Sequence, residues 1–281
     1  MIRGLSSLGY NNNEQNKSFL NKAKDYYKSI PFFVRIIISN TIVNYIISFF
    51  FSLEYGINIP HNTIFKFRIW TLMTTVMITP SLINIIFAFI SWIPSGIRDE
   101  KEEGTVYFCI QFFIHSIIIQ CLFVLMALVL QFLFPDVMNI PSAGLWPYII
   151  AKLTIYCLKN PENIMMFFVF PWPIKAKYYP WILICFFALI NMNIQIDLVC
   201  AILYGYAYNH KLKNYLEISI NFIQKLEDSL IFKYFKNSTG FILLSNSQGS
   251  TGFTASTTNN LNKNTNKEDY SVSNILILFY I

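Results

Sequence analysis

Charged residues are scarce in this chain: Asp, Glu, Lys and Arg make up 13% of its 281 residues, whereas 54% are hydrophobic and 17% aromatic. That shortage excludes an ordinary soluble domain, because too little polar surface remains to cover a globule of this size. No CxxC pair occurs either. The five cysteines, Cys109, Cys121, Cys157, Cys185 and Cys200, all fall inside apolar runs. They read as buried free thiols and point to neither a disulfide framework nor a zinc site. The net charge is +6, but no basic run is interleaved with aromatics, so nucleic acid is not an expected partner. No motif calls for a cofactor or a metal. Residues 1–29 are rich in Asn and Lys, with no apolar core before Ile30. A signal peptide is therefore not expected, and the first hydrophobic segment is expected to act as an uncleaved anchor.

What the chain does have is long apolar runs. A hydrocarbon core about 30 Å thick needs roughly 20 apolar residues per helix, and six spans are drawn at 32–53, 69–93, 105–134, 143–159, 180–192 and 194–208. Their continuous apolarity argues for helices, since barrel strands alternate apolar and polar positions. The expected fold is an all-α membrane protein, a six-transmembrane-helix bundle embedded in the lipid bilayer. Its fifth and sixth spans are short. Of the 21 Lys and Arg residues, 17 fall on one side of this scheme and only Lys66 and Arg68 on the other, which places both termini in the cytosol.

The domain organisation follows from these spans. Residues 1–29 form a cytosolic N-terminal segment and 30–208 the membrane domain. Residues 209–236 are expected to form an amphipathic interfacial helix, with Leu216, Ile220, Ile223, Leu230 and Tyr234 on its apolar face. The Ser-, Thr-, Asn- and Gly-rich stretch 237–281 is expected to be a disordered cytosolic tail.

Ionisable groups inside a membrane are candidates for function. Lys152 lies in the middle of the fourth span. It either snorkels to the cytosolic headgroups or pairs with Asp197, near the start of the sixth span, across a wet cavity. His115 shares a helical stripe with Gln111 and, less closely, Gln120, which suits hydrogen bonds between helices. The block RDEKEE at 98–103 mixes charge signs and reads as a solvated loop. Ala201 and Gly205 are four apart, a spacing that lets helix backbones approach closely. Ser142, Ala143 and Gly144, at the start of the fourth span, suit the same contact.

Five stretches together, FRIWTLMTT, EKEEGT, SAGLWPYIIA, KAKYYPW and DLVCAILYGYAY, resemble the rhomboid superfamily over about residues 30–235. Their order and wording are most similar to the rhomboid pseudoproteases of the endoplasmic reticulum that carry a ubiquitin-associated domain, relatives of the derlins. Here no such domain fits in the tail. Active rhomboids use a serine in GxSG on the fourth helix and a histidine on the sixth. In this chain the GxSG motif is missing: Ser142 follows Ile140 and Pro141, and Ala143 occupies the position before Gly144. Alignment on Gly205 places the family histidine at Leu198, which cannot take a proton. The resemblance therefore implies no enzyme but a multi-pass endomembrane pseudoprotease. It would bind transmembrane client proteins and support their retention or degradation with degradation machinery. An active intramembrane serine protease with displaced residues and a small-solute transporter using Lys152 and Asp197 are the alternatives.

Overall fold

The structure, a computed structural model, describes residues 27–166, 173–191, 195–216 and 218–247. Helix α1 (Phe32–Ser48) follows Pro31, whose φ of −56° already suits a helix entrance. A run of short elements comes next: α2 (Pro60–Phe65), α3 (Thr71–Thr74) and a 3-10 turn, Thr75–Met77. The two longest helices are α4 (Leu82–Glu103) and α5 (Thr105–Leu130), of 22 and 26 residues. Gly104 alone joins them, at φ +85° and with no room for a Cβ beyond 3.2 Å from Leu244 Cα. A left-handed φ and a close approach both call for glycine there.

Helix α6 (Trp146–Lys159) leads to an antiparallel hairpin of β1 (Ile164–Met166) and β2 (Pro173–Lys175), with Met165 opposite Ile174. At its base Glu162 accepts from Lys175 Nζ at 2.8 Å and Lys177 Nζ at 3.2 Å. These bonds hold the Glu162 carboxyl below its usual range. Helices α7 (Tyr179–Asn191) and α8 (Ile196–Ala207) follow, and α8 continues through a π turn, Tyr208–Leu212, into α9 (Lys213–Leu216). Two short helices, α10 (Ile220–Glu227) and α11 (Leu230–Phe235), precede a strap at 238–247 that opens with a turn and contains a 3-10 turn, Leu244–Asn246.

Helices α5 and α6 lie at the centre and contribute to two core clusters. Val34, Ile37, Trp92, Phe108, Phe112 and Tyr148 join α1 and α4 to them; Ile119, Ile150, Leu183, Leu198 and Ile202 join α7 and α8. Outward faces stay apolar, with Ile42, Val43 and Ile46 of α1, Ile83, Ile86 and Ile90 of α4, and Val129 of α5 exposed. By length and composition α4 and α5 are able to cross a bilayer, with mean hydropathies of 1.2 and 2.5; α1 and the 176–189 stretch are shorter apolar helices.

Five expectations change. The span drawn at 69–93 is instead α3, the 3-10 turn and a helix that starts at Leu82. Pro80 has no amide hydrogen to give and disfavours a helical Thr79, and Ser81 caps the new helix by accepting from Asn84 N at 3.5 Å. The fourth helix begins at Trp146, not at 143, because Gly144 takes φ +92°. The sixth helix runs on to Leu216, so it is not short. The single amphipathic helix is three pieces, α9 to α11; Ile223 is buried while Tyr234 is 81% exposed. Leu230's side chain lies outside the described residues.

The fifth change concerns RDEKEE and the tail, which turn out to be linked. Residues 98–103 are the last turns of α4, not a loop. Glu100 is fully buried and accepts from the amides of Phe33 and Val34 at 2.9 Å each, and from Thr105 Oγ1 at 2.8 Å. The first amides of a helix have no partner within it, and a carboxylate also complements the positive end of its dipole. The strap supplies the rest: Gly240 O accepts from Phe32 N at 3.0 Å, and Ile242 O from Thr105 N at 2.9 Å. Residues 238–247 are thus bonded to the bundle, and the expected tail from 248 onward lies outside the described residues. Replacing Glu100 by Ala strands three buried donors; a loss of about 3 kcal/mol is expected, read as a lower unfolding midpoint in detergent micelles.

Candidate functional site

At the opposite end of the bundle the loop before α6 is anchored by its backbone. Ser142 N donates to Asn58 O at 2.9 Å and Gly144 N to Thr75 O at 2.9 Å. Thr75 Oγ1 donates to Ser142 O at 2.5 Å and accepts from Asn58 N at 3.2 Å. Side chains then extend the contact across the bundle. Ser142 Oγ donates to Asp197 Oδ2 at 2.9 Å and accepts from Gln120 Nε2 at 3.0 Å. Gln120 Oε1 accepts from Asn58 Nδ2 at 2.7 Å, and Asn58 Oδ1 from Thr63 Oγ1 at 2.7 Å. Asn58 and Ser142 are 0% exposed. The chain Thr63, Asn58, Gln120, Ser142, Asp197 therefore joins α2, α5, the α6 loop and the first turn of α8. Asp197 Oδ1 also accepts from Leu198 N at 2.9 Å.

Lys152 and Asp197 are not brought together. Lys152 Nζ lies 3.1 Å from Asp99 Oδ2, and Asp99 also meets Arg98 at 3.3 Å. Lys152 is on the α6 turns that face the end of α4, whereas Asp197 sits at the end where α6 begins, so of the two readings of Lys152 the pairing with Asp197 is excluded, its partner being Asp99, and the wet-cavity transporter loses its coupled pair. Nothing in RDEKEE as a solvated loop suggested Asp99; its helical position one residue before buried Glu100 is what turns it toward α6. His115 Nδ1 shares a hydrogen bond with Tyr204 OH on α8, and its ring centroid lies 5.1 Å from that of Tyr208. Gln111 Nε2 donates to Leu216 O at 3.0 Å, so all three polar residues of the α5 stripe bond to other segments.

Ala201 and Gly205 face α6. A Cβ on Gly205 would lie 2.7 Å from Thr154 Cβ and 3.3 Å from Ala151 O, a distance that side chains do not tolerate. Gly144 serves another contact: its positive φ and Thr79 Oγ1, 2.9 Å from an added Cβ, seat the α6 loop against the segment before α4. Leu198 is a core residue at 1% exposure, and Ala143 is half-buried beside Ser142.

Residues 66–212 match the family model of the Rhomboid domain. The chain belongs to the rhomboid family. It is also similar to Rhomboid-like protein 15 of Arabidopsis thaliana, 25% identical over 191 residues that cover 66% of this chain and 47% of that protein. The chain thus spans about half the length of this curated relative. The family is one of membrane proteins, and the apolar outer faces of α1, α4 and α5 are in keeping with that.

In this rhomboid-family chain the serine nearest the degenerate motif is held by a carboxylate and an amide. Sequence reading found Ser142 and Asp197 separately but did not join them, and the partner it offered Asp197 as one alternative, Lys152, is not the one it has. Asn58, Thr63 and Thr75 were missed altogether, because isolated polar residues in a connecting segment have no spacing that marks them. Asp197→Leu removes the acceptor of a buried hydroxyl and is expected to cost about 2 kcal/mol, with Asp197→Asn retaining most of that stability; thermal unfolding in micelles reads the difference. Gly205→Val is expected to force α6 from α8 and to destabilise by more than about 2 kcal/mol, measured in the same way.

Proposed function

We propose that this chain is a catalytically inactive rhomboid-family protein that binds transmembrane segments of client proteins. In this reading it is a multi-pass protein of the endoplasmic reticulum with six spans and both termini cytosolic, supporting retention of clients or their delivery to degradation machinery. The observation that carries it is the state of Ser142: fully buried, with its hydroxyl donating to Asp197 and accepting from Gln120. A serine attacks a carbonyl only when a base within reach takes its proton. Imidazole suits that task near neutral pH, but the groups that meet this hydroxyl are a carboxylate and an amide. His115 of α5 is engaged with Tyr204. A hydroxyl so enclosed acts as a link between segments.

Two further features support client binding. The excess of Lys and Arg around the α4 end and the C-terminal segment agrees with a cytosolic position for that end. Helices α6 and α7, of 14 and 13 residues, span only about 20 Å at ~1.5 Å per residue, less than a bilayer core of about 30 Å. Lipid next to them is thinned, so a client helix that is short or partly polar finds that position less costly.

A second reading, cleavage by Ser142 with Asp197 as base, draws on the same 2.9 Å contact. One experiment separates the two. With a photoreactive residue at Ala143 and a single-span substrate in the same proteoliposomes, intact substrate is expected to be trapped, with no cleavage product and no change on Ser142→Ala. Cleavage that disappears with both Ser142→Ala and Asp197→Asn would establish the protease instead.

A further inference from the structure

Between α2 and α3 the chain makes a tight link, 66–70, at the Ser142 end of the bundle. Its middle is strained. Phe67 stands at φ +52°, a left-handed conformation that a bulky side chain keeps only where the surrounding structure enforces it. The enforcing groups lie on the inner side. Ile69 N donates to Phe67 O at 2.9 Å, and Thr71 donates to Arg68 O through its amide at 3.1 Å and its hydroxyl at 2.6 Å. Thr71 is itself fully buried, with its Oγ1 3.1 Å from Thr63 Oγ1. The main chain of the link is thus tied inward while its side chains stay outside: Phe67 is 76% exposed, and Ile69 and Trp70 are exposed beside it. The fold gains little from this strain, because the ring that it presents is left largely uncovered by the protein.

Two cations flank that ring. Arg68 Cζ lies 4.3 Å from the centroid of the Tyr55 ring, and Trp70 Nε1 donates to Tyr55 O at 3.0 Å, so Arg68, Tyr55 and Trp70 share one surface. Lys66 is exposed on the other side of Phe67. Among the described residues neither Lys66 nor Arg68 has an ion-pair or side-chain hydrogen-bond partner; the exposed acids of this end, Glu54 and Asp136, meet neither. A guanidinium carries five N–H donors and engages a phosphate with two at once. We propose that this surface is a binding site for an anionic phospholipid of the surrounding bilayer. Lys66 and Arg68 hold its phosphate, while Phe67, Ile69 and Trp70 lie where headgroups give way to acyl chains, the level at which aromatic rings collect in membrane proteins. Charge and apolarity together select this occupant. A second copy of the chain docked here by symmetry would set the same two cations against each other, whereas a phospholipid brings opposite charge and hydrocarbon in one molecule. The strained conformation of Phe67 serves the lipid contact.

The test uses the full chain in phosphatidylcholine nanodiscs doped with photoactivatable phosphatidylglycerol or, in parallel, with photoactivatable phosphatidylcholine, the labelled peptides being mapped by mass spectrometry. The anionic probe is expected to label the link at 66–70 severalfold more than the zwitterionic one, whereas the outer face of α4 at Ile83, Ile86 and Ile90, exposed and uncharged, takes both equally. Lys66→Gln with Arg68→Gln is expected to abolish the preference at the link and to leave the α4 labelling as it was. Phe67→Gly suits the positive φ. It is expected to reduce labelling of the link severalfold and yet to raise the thermal unfolding midpoint in micelles, the opposite of what a residue placed for the fold would do. Equal labelling of the link by the two probes overturns the proposal, as does a preference that survives the double variant. So does a lower midpoint with Phe67→Gly, or a link that neither lipid labels because a second copy of the chain covers it.

Discussion

Ser142 is bonded through its amide, its carbonyl and its hydroxyl to four other parts of the chain, and the arrangement of the bundle depends on this one residue being satisfied. Where the outer surface of a bundle is as apolar as its core, burial of hydrocarbon does little to choose between helix arrangements. Close packing and hydrogen bonds choose instead. The Asn58 backbone pairs with the loop before α6, Gln120 reaches down from α5, and Asp197 closes the chain from α8. A polar atom left over in such a place costs more than any single apolar contact returns, so the segments are held in one register.

The same constraint operates at the other end with different groups. Helices α1 and α5 both begin there, and the amides of their first turns need acceptors that neither helix contains. Glu100 on α4 supplies carboxylate oxygens to α1, and the strap supplies carbonyls to α1 and α5. Thr105 ties the two devices together by donating to Glu100 and accepting from Ile242. A charged residue, a glycine link and a Ser/Thr-rich strap, which as sequence look like solvent-exposed filler, are here the means by which three helices are joined.

Much of the fold was legible. Apolar runs located α1, α5, α6, α7 and the start of α8, and the Ala201–Gly205 spacing pointed to the close contact that Thr154 and Ala151 make with α8. The region around residue 80 was misread because an apolar run has no visible break until Pro80 is given its weight and the hydroxyls of Thr71 and Thr75 are known to be engaged elsewhere. The site was half legible: Ser142, His115, Lys152 and Asp197 stood out as polar groups in apolar surroundings. Their partners did not, since Tyr204, Asp99 and Gln120 are 89, 53 and 22 residues from the groups they bond, and no periodicity links positions that far apart.

The sequence alone determined that the chain is a helical membrane protein, that its charged residues are few, and that no GxSG motif occurs in it. These are properties of composition and local spacing, and they survive any arrangement of the helices. Only the tertiary structure decided that Ser142 meets Asp197, that Lys152 meets Asp99, and that Glu100 caps α1. Each of these is a choice among partners distant in sequence. Such choices are settled by which buried groups can all be satisfied at once, a condition on the whole bundle that no single segment carries.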